Sequence, residues 1–313
     1  MTGKTIVLMF PGQTTRDPLM LERALAAWPD GGKIVAEASE VLGRDIRASL
    51  LGPDPFGSGR DIQVAVFLTS HVHLAALRAL GARTPYSVGL SLGEYNHLVH
   101  IEAIGFADAL RLVDVRGRLY DRSPRGKMVA VLNVTEGELV ACLSRYAEKG
   151  TVAISNFNGP GQHVVAGEAD LVDLMVDELM EDSFAVCHTV DDRLAMHTNL
   201  FDSTAEAFSG VLAASPWRSP RWPYRPGTDP GTLVTGAEEI PALLTRHVNH
   251  PVRFGRCLER VLAEAQDPVL VEAGAGNSLS NSVGRFRAEP VVSTDDPTGA
   301  SPVFARIAEW VSP

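Results

Sequence analysis

The segment Tyr86-Ser87-Val88-Gly89-Leu90-Ser91-Leu92-Gly93-Glu94-Tyr95 fixes how the chain is read. It carries G-x-S-x-G between a brief apolar run, residues 86–90, and a stretch with a helical pattern. A tight strand-to-helix turn crowds the backbone, so small residues are needed on both sides of the serine. Such a turn pushes the hydroxyl into the open. The helix after it aims free N–H groups and its positive dipole end at the same spot. The N–H of Leu92 is then placed to stabilise an oxyanion. The alternative is a glycine-flanked turn whose serine only caps the helix.

Outward from this turn, strands alternate with helices. Residues 4–10 (KTIVLMF) read as a buried strand ended by Pro11-Gly12. Residues 19–50 are helical in pattern with a break at Pro29-Asp30-Gly31-Gly32, and residues 63–80 form an apolar helix. This alternation implies an α/β fold, a hydrolase-like main domain with a parallel sheet covered on both faces. The middle of the chain changes character. Strand-like segments at 128–134, 151–156, 162–167 and 184–190 enclose helix-like segments at 136–149 and 170–181. That order, β-α-β-β-α-β, is ferredoxin-like. It places an α+β subdomain at 126–190, inserted in a main domain made of 1–125 and 191–313. Residues 268–274 and 290–294 read as late strands returning to the main sheet. Residues 215–230 read as an ordered surface loop, because they carry Trp217, Trp222 and Tyr224.

Composition narrows the function classes. The chain has 313 residues, 28 Lys+Arg, 38 Asp+Glu and a formal charge of −10; 45% of residues are hydrophobic. This is globular composition. Nothing approaches 18 consecutive apolar residues, so no membrane span is expected. The start, MTGKTIVLMF, shows no signal-peptide cleavage pattern, and a cytoplasmic protein is expected. Cys142, Cys187 and Cys257 lie far apart, without metal or disulfide-framework spacing. An acidic chain without a basic cluster argues against a nucleic-acid partner.

A serine nucleophile needs a base. Among nine histidines, sequence pattern alone does not choose; His197 stands where the chain returns from the insert to the main domain's cleft. One cation is also out of place. On a helical wheel of residues 106–120, Arg116 falls within the apolar arc near Ala109, Leu112 and Tyr120. An arginine there must snorkel or meet an anion. It is either paired with a buried carboxylate or a fork for a substrate carboxylate.

Taken together, these residues resemble the malonyl-CoA:acyl-carrier-protein transacylase family, in its discrete, trans-acting form; the family includes the acyltransferase domains of polyketide synthases. The similarity runs over nearly the whole chain. Phe10-Pro11-Gly12-Gln13 looks like an FPGQ loop, Gln63 sits in a segment like the QPA helix, and residues 89–95 resemble GHSLGEY. Arg116-Gly117 resembles the RG of the next helix, and residues 156–167 (NFNGPGQHVVAG) resemble N-x-N-S-P-x-Q-x-V-I-S-G. Ala195-Met196-His197-Thr198 takes the place of AFHS, residues 250–254 of NPVRW, and residues 272–276 (EAGAG) of E-x-G-P-G.

The resemblance implies an acyltransferase of fatty-acid or polyketide biosynthesis. Ser91 would be acylated and His197 would be its base. Gln13 and Leu92 would supply oxyanion N–H groups, and Arg116 would hold the free carboxylate of a malonyl-type group. A backbone carbonyl at about His247 would orient His197; Gln63, Leu90 and Met196 would border the substrate. The acyl donor would be an acyl-CoA or an acyl-carrier thioester, and the acceptor a phosphopantetheinylated acyl carrier protein. This chemistry demands neither cofactor nor metal. The chain departs from the family at Leu90, at Thr14-Thr15-Arg16 and at Met196 and Thr198. Methionine at 196 could admit a bulkier group, so carrier-to-carrier transfer of a larger carboxylated acyl group is the alternative. An acyl-thioester hydrolase, an α/β-hydrolase esterase and a catalytically dead docking partner are rivals. An acidic carrier needs a basic rim on this acidic chain. Arg118, Arg122, Arg125 and Lys127, or Arg218, Arg221 and Arg225 on the Pro/Trp stretch, would supply it.

Overall fold

The computed structural model describes residues 4–13, 17–52, 56–295 and 303–311. Eight strands form two sheets: β1 (Thr5–Phe10), β2 (Ser87–Gly89), β3 (Lys127–Leu132), β4 (Val152–Gly159), β5 (Gln162–Gly167), β6 (Val186–Asp191), β7 (Pro268–Glu272) and β8 (Val291–Ser293). The first sheet has the order β2-β1-β7-β8 and is parallel throughout, with Met9 opposite both Val88 and Glu272. An unbroken apolar run such as β1 suits a strand buried on both faces. Its period-two alternation sends Ile6, Leu8 and Phe10 toward Leu74 and Leu77 of the Gly59–Ala79 helix and Ile307 of the Val303–Val311 helix. Val7 and Met9 point the other way, toward Leu258 of the Phe254–Glu264 helix.

The Gly59–Ala79 helix is 21 residues long, and by length and apolarity it would cross a membrane. Here 78% of its most apolar window is buried inside the protein, as a core helix. The Ser58 hydroxyl caps it by accepting from Asp61 N at 3.1 Å. The 19–50 stretch breaks twice rather than once. It gives helices Met20–Ala27, Gly31–Leu42 and Ile46–Leu50, because Gly43 adopts φ +62° and ends the second of them.

The second sheet is antiparallel in the order β4-β5-β3-β6, as a ferredoxin-like β-α-β-β-α-β chain requires. One face carries Val131, Ile154 and Val165 against the Glu136–Ser144 and Ala169–Asp182 helices. From the other face Met128, Val164 and Ala166 join the main core, with Leu194 and Met196. The two layers are stitched by backbone at Val252, where Phe157 N donates to Val252 O at 2.8 Å and Val252 N to Ser155 O at 2.9 Å, and by side chain at Gln162, whose Nε2 donates to Ser282 O at 3.0 Å. The 215–230 stretch is pinned rather than loose. Arg218 N and Arg221 N donate to Ala103 O and Ile101 O, each at 2.8 Å, and Tyr224 pairs with Val234.

Core burial also sets charge. Desolvation drives His71, His73 and His100 down from 6.5 to about 3, 4 and 3, so all three are neutral in the fold. In the unfolded chain they charge near their ordinary value, so their contribution is complete above about pH 6.5 and is lost as pH falls toward 4. Glu272 runs the other way: burial raises it to about 8, so its contribution is complete below its ordinary 4.5 and is lost as pH rises through 8. These three imidazoles, joined by His163, His197 and His247, which burial also depresses, outweigh one carboxyl. Urea unfolding at pH 7 and pH 5 should therefore show a stability lower at pH 5 by several kcal/mol. A flat profile across that interval is the contrary result.

Candidate active site

The turn at Ser91 is built by backbone contacts. A Cβ on Gly93 would stand 2.1 Å from the Phe10 carbonyl oxygen, and one on Gly89 would stand 2.5 Å from Glu94 N. Both flanking positions are thus closed to any side chain. Leu90 N donates to Phe10 O at 2.9 Å and ties the turn to β1. Ser91 itself sits at φ +51°, a left-handed conformation that non-glycine residues adopt only when their surroundings impose it. The Gly93–His100 helix has no side-chain cap, so Ser91 is not a capping residue.

Its hydroxyl faces His197 instead, with Oγ 2.8 Å from Nε2. His197 also lies at positive φ, +63°, and its Nδ1 is 2.7 Å from the His247 carbonyl oxygen. A carbonyl only accepts, so Nδ1 carries the proton and Nε2 offers its lone pair to the serine O–H. The carbonyl is available because His247 is in the last turn of the Ile240–Asn249 helix, where carbonyls lack intrahelical partners. Burial, and next the charge of Arg116, depress His197 to about 3 and keep it neutral.

Arg116 is fully buried on the Phe106–Tyr120 helix. Its Nη1 donates to Gln63 Oε1 at 2.6 Å and its Nη2 to Ser91 Oγ at 3.2 Å. The guanidinium lies over the Tyr120 ring at 4.1 Å, with the Tyr95 ring at 5.9 Å. Among the described residues no carboxylate comes within ion-pair range of it, so the buried-carboxylate alternative is not met. Among the described residues Arg116 Nε and Gln63 Nε2 have no hydrogen-bond partner. Gly117 follows because a Cβ there would be 2.5 Å from Arg60 Cα, on the neighbouring helix.

Gln13, Leu90, Ser91, Met196 and His197 line one cleft, with an enclosed volume of about 50 Å³. Among the described residues the amides of Gln13 and Leu92 donate to no acceptor. The structure thus brings Ser91, His197, Arg116, Gln63 and the His247 carbonyl into one hydrogen-bonded group, with Gln13, Leu90 and Met196 around the cleft. Thr14, Thr15 and Arg16 lie outside the described residues. Sequence reasoning missed the opposite wall, Met128, Asn156 and Val164, supplied by the second sheet. Alternation in β3 and β5 marks a second buried face without saying what it packs on. Sequence reasoning also missed Tyr95, whereas Tyr120, read on the same arc as Arg116, does lie beneath it. Arg225, read as decorating the surface, is buried and tied to Glu264 and the Pro230 carbonyl. Its aliphatic stem and neighbours carry it inward, so it is not part of a basic rim. Arg118, Lys127 and Arg221 pair with Asp114, Asp173 and Glu102.

Residues 46–285 match the family described as acyl transferase domain. The chain belongs to this family. It is 28% identical over 292 residues to the malonyl CoA-acyl carrier protein transacylase of Escherichia coli K12, covering 89% of this chain and 91% of that protein. A crystal structure of MCAT from Streptococcus pneumoniae superposes with a TM-score of 0.87 at 30% identity, over 97% of this chain and 99% of that one. A type II PKS acyl-carrier protein in complex with its malonyl-transacylase gives a TM-score of 0.89 at 26% identity, over 98% of this chain and 99% of that one. The protein is therefore an acyltransferase of mixed α/β fold, with a parallel sheet and a separate antiparallel sheet.

In this acyltransferase the glycine after the serine turn is a backbone requirement. Gly93→Ala should destabilise the fold by about 3 kcal/mol or more, because the clash is with β1 backbone rather than a side chain that can swing away. Thermal and urea unfolding read this directly; a variant as stable as wild type would contradict the clash.

Proposed function

We propose that the protein moves a malonyl group from coenzyme A, through an ester on Ser91, to the phosphopantetheine thiol of an acyl carrier protein. The observation that carries this reading is Arg116: a buried cation beside the serine hydroxyl, with no carboxylate of the described protein to neutralise it. A free carboxylate on the acyl group supplies the missing charge and accepts the guanidinium's paired N–H groups. The names of the relatives agree with that substrate. In this reading the insert, residues 126–190, and the catalytic domain, residues 1–125 and 191–313, face each other across the cleft.

The Ser91 hydroxyl gives its proton to His197 Nε2 as the oxygen attacks the thioester carbon. The carbonyl oxygen takes up the electron pair and is met by the Gln13 and Leu92 amides. Collapse expels the thiolate, which takes the proton from His197 and leaves as the thiol. The carrier's thiol then gives its proton to His197, its sulfur attacks the seryl ester, and Ser91 leaves with the proton. Each half restores the neutral imidazole that burial favours. A narrow cleft that keeps water from the ester separates transfer from hydrolysis.

A second reading draws on Met196. This flexible side chain lines the cleft beside His197 and would yield to a larger carboxylated group delivered by another carrier.

Intact-protein mass after incubation with CoA-linked and carrier-linked donors tests both. Wild type should gain a malonyl mass from malonyl-CoA, and Ser91→Ala none. Arg116→Ala should slow malonyl loading by about 100-fold or more while sparing acetyl. Loading only from carrier-linked donors would favour the second reading. Equal loss for malonyl and acetyl would remove the carboxylate role, and free acid released at the same rate without a carrier would make the protein a hydrolase.

A further inference from the structure

A second concave site lies at the far end of the Gly93–His100 helix from Ser91. It is a cavity of about 420 Å³. Three guanidiniums, those of Arg78, Arg83 and Arg218, border it. Arg78 is fixed there, donating from Nη2 to Val99 O at 3.2 Å and to His100 O at 3.1 Å. Arg83 and Arg218 have no carboxylate in ion-pair range among the described residues. The carboxylate among the lining residues, Glu102, is engaged by Arg221 Nη1 at 3.0 Å, and that of Asp108, close to Gly105, by Arg111 Nη1 at 2.8 Å. Burial lowers the pKa of Arg78; Glu102 counters this and the nearby charge of Arg83 adds to it. Like charges have thus been gathered at one place on a chain of net charge −10.

Two neutral features join them at the cavity. Gly105 and Phe106 line the cavity at the start of the 15-residue Phe106–Tyr120 helix, whose first turn has no side-chain cap. Its free amides and dipole end favour an anion. His71, 9% exposed, also lines the cavity. Its ring is stacked on Phe106 at 4.3 Å and makes no hydrogen bond among the described residues, with Nδ1 buried and unpartnered. The ring serves the cavity as a flat wall beside Phe106.

We propose that this cavity binds a small phosphate-bearing anion. Two free guanidiniums, a third held by backbone carbonyls, and a helix start match the several oxygens and double charge of a phosphomonoester. The site is separate from the Ser91 cleft, with which it shares no lining residue.

Isothermal titration calorimetry at low ionic strength tests it, with inorganic phosphate and adenosine 3′,5′-bisphosphate as probes. Wild type and Ser91→Ala should bind one equivalent alike. Arg83→Gln/Arg218→Gln should bind about 100-fold more weakly, about tenfold for each guanidinium removed. Equal affinity for both probes would identify free phosphate as sufficient, and tighter binding of the bisphosphate would identify a nucleotide; either supports the site. If the double variant does not fold, Arg218→Gln alone, at an exposed position, should show the tenfold loss. Absence of saturable binding, or binding unchanged by these substitutions, would overturn the proposal.

Discussion

A guanidinium sealed from water is the constraint around which the site is arranged. Taking a charge out of water costs several kcal/mol even after relaxation, and the protein offsets it for Arg116 without a counter-ion among the described residues. It uses the Gln63 amide oxygen, the Ser91 oxygen and the faces of Tyr120 and Tyr95. These are weak partners, and each constrains the others. Gln63 is held by the Gly59–Ala79 helix and Arg116 by the Phe106–Tyr120 helix. Their close approach depends on Gly117, where any side chain would meet Arg60 backbone. The charge stays available, and its field reaches His197.

That field explains why a carbonyl, rather than a carboxylate, faces the imidazole. A carboxylate at Nδ1 would stabilise imidazolium strongly, and its charge would also be drawn to Arg116. The His247 carbonyl fixes the tautomer through one hydrogen bond and leaves the charge balance alone. Two left-handed residues, Ser91 and His197, complete the geometry. Strain at both is held by neighbours: the Phe10 carbonyl receives Leu90 N, and the Val248 carbonyl receives His197 N at 3.1 Å.

Much of this was legible in the chain. G-x-S-x-G reads as a strand-to-helix turn because backbone crowding selects glycine, and the contacts of Gly89 and Gly93 are of that kind. Arg116 stood out because a helical wheel exposes a charge on an apolar arc. The two sheets followed from a buried apolar run in one and alternation in the other. What stayed hidden depends on distant contact. No local pattern says that β3 and β5 supply the wall opposite Ser91, since that follows from how the second sheet docks through Val252. Nor does it say that Arg225 turns inward while Arg218 stays out. The second break, at Gly43, was visible as a glycine but masked by helical periodicity on both sides.

The docking strip also bears on how the cleft would serve the two thiols of the proposed reaction. Main-sheet backbone fixes Ser91, while Met128 and Val164 come from a sheet that touches the main domain through core side chains and the Ser155–Phe157 strip. The Ser91 hydroxyl and the His197 imidazole therefore lie on one side: the serine turn is tied to β1 and His197 to the Ile240–Asn249 helix. The wall facing them belongs to a unit with a hydrophobic core of its own, around Val131, Leu139 and Met175. A unit with its own core can shift as a body without unpacking the parallel sheet. On the reading proposed above, chemistry that admits a large donor, excludes water and then admits a carrier is served by that division, because the reacting atoms are held by one unit and the wall facing them by another.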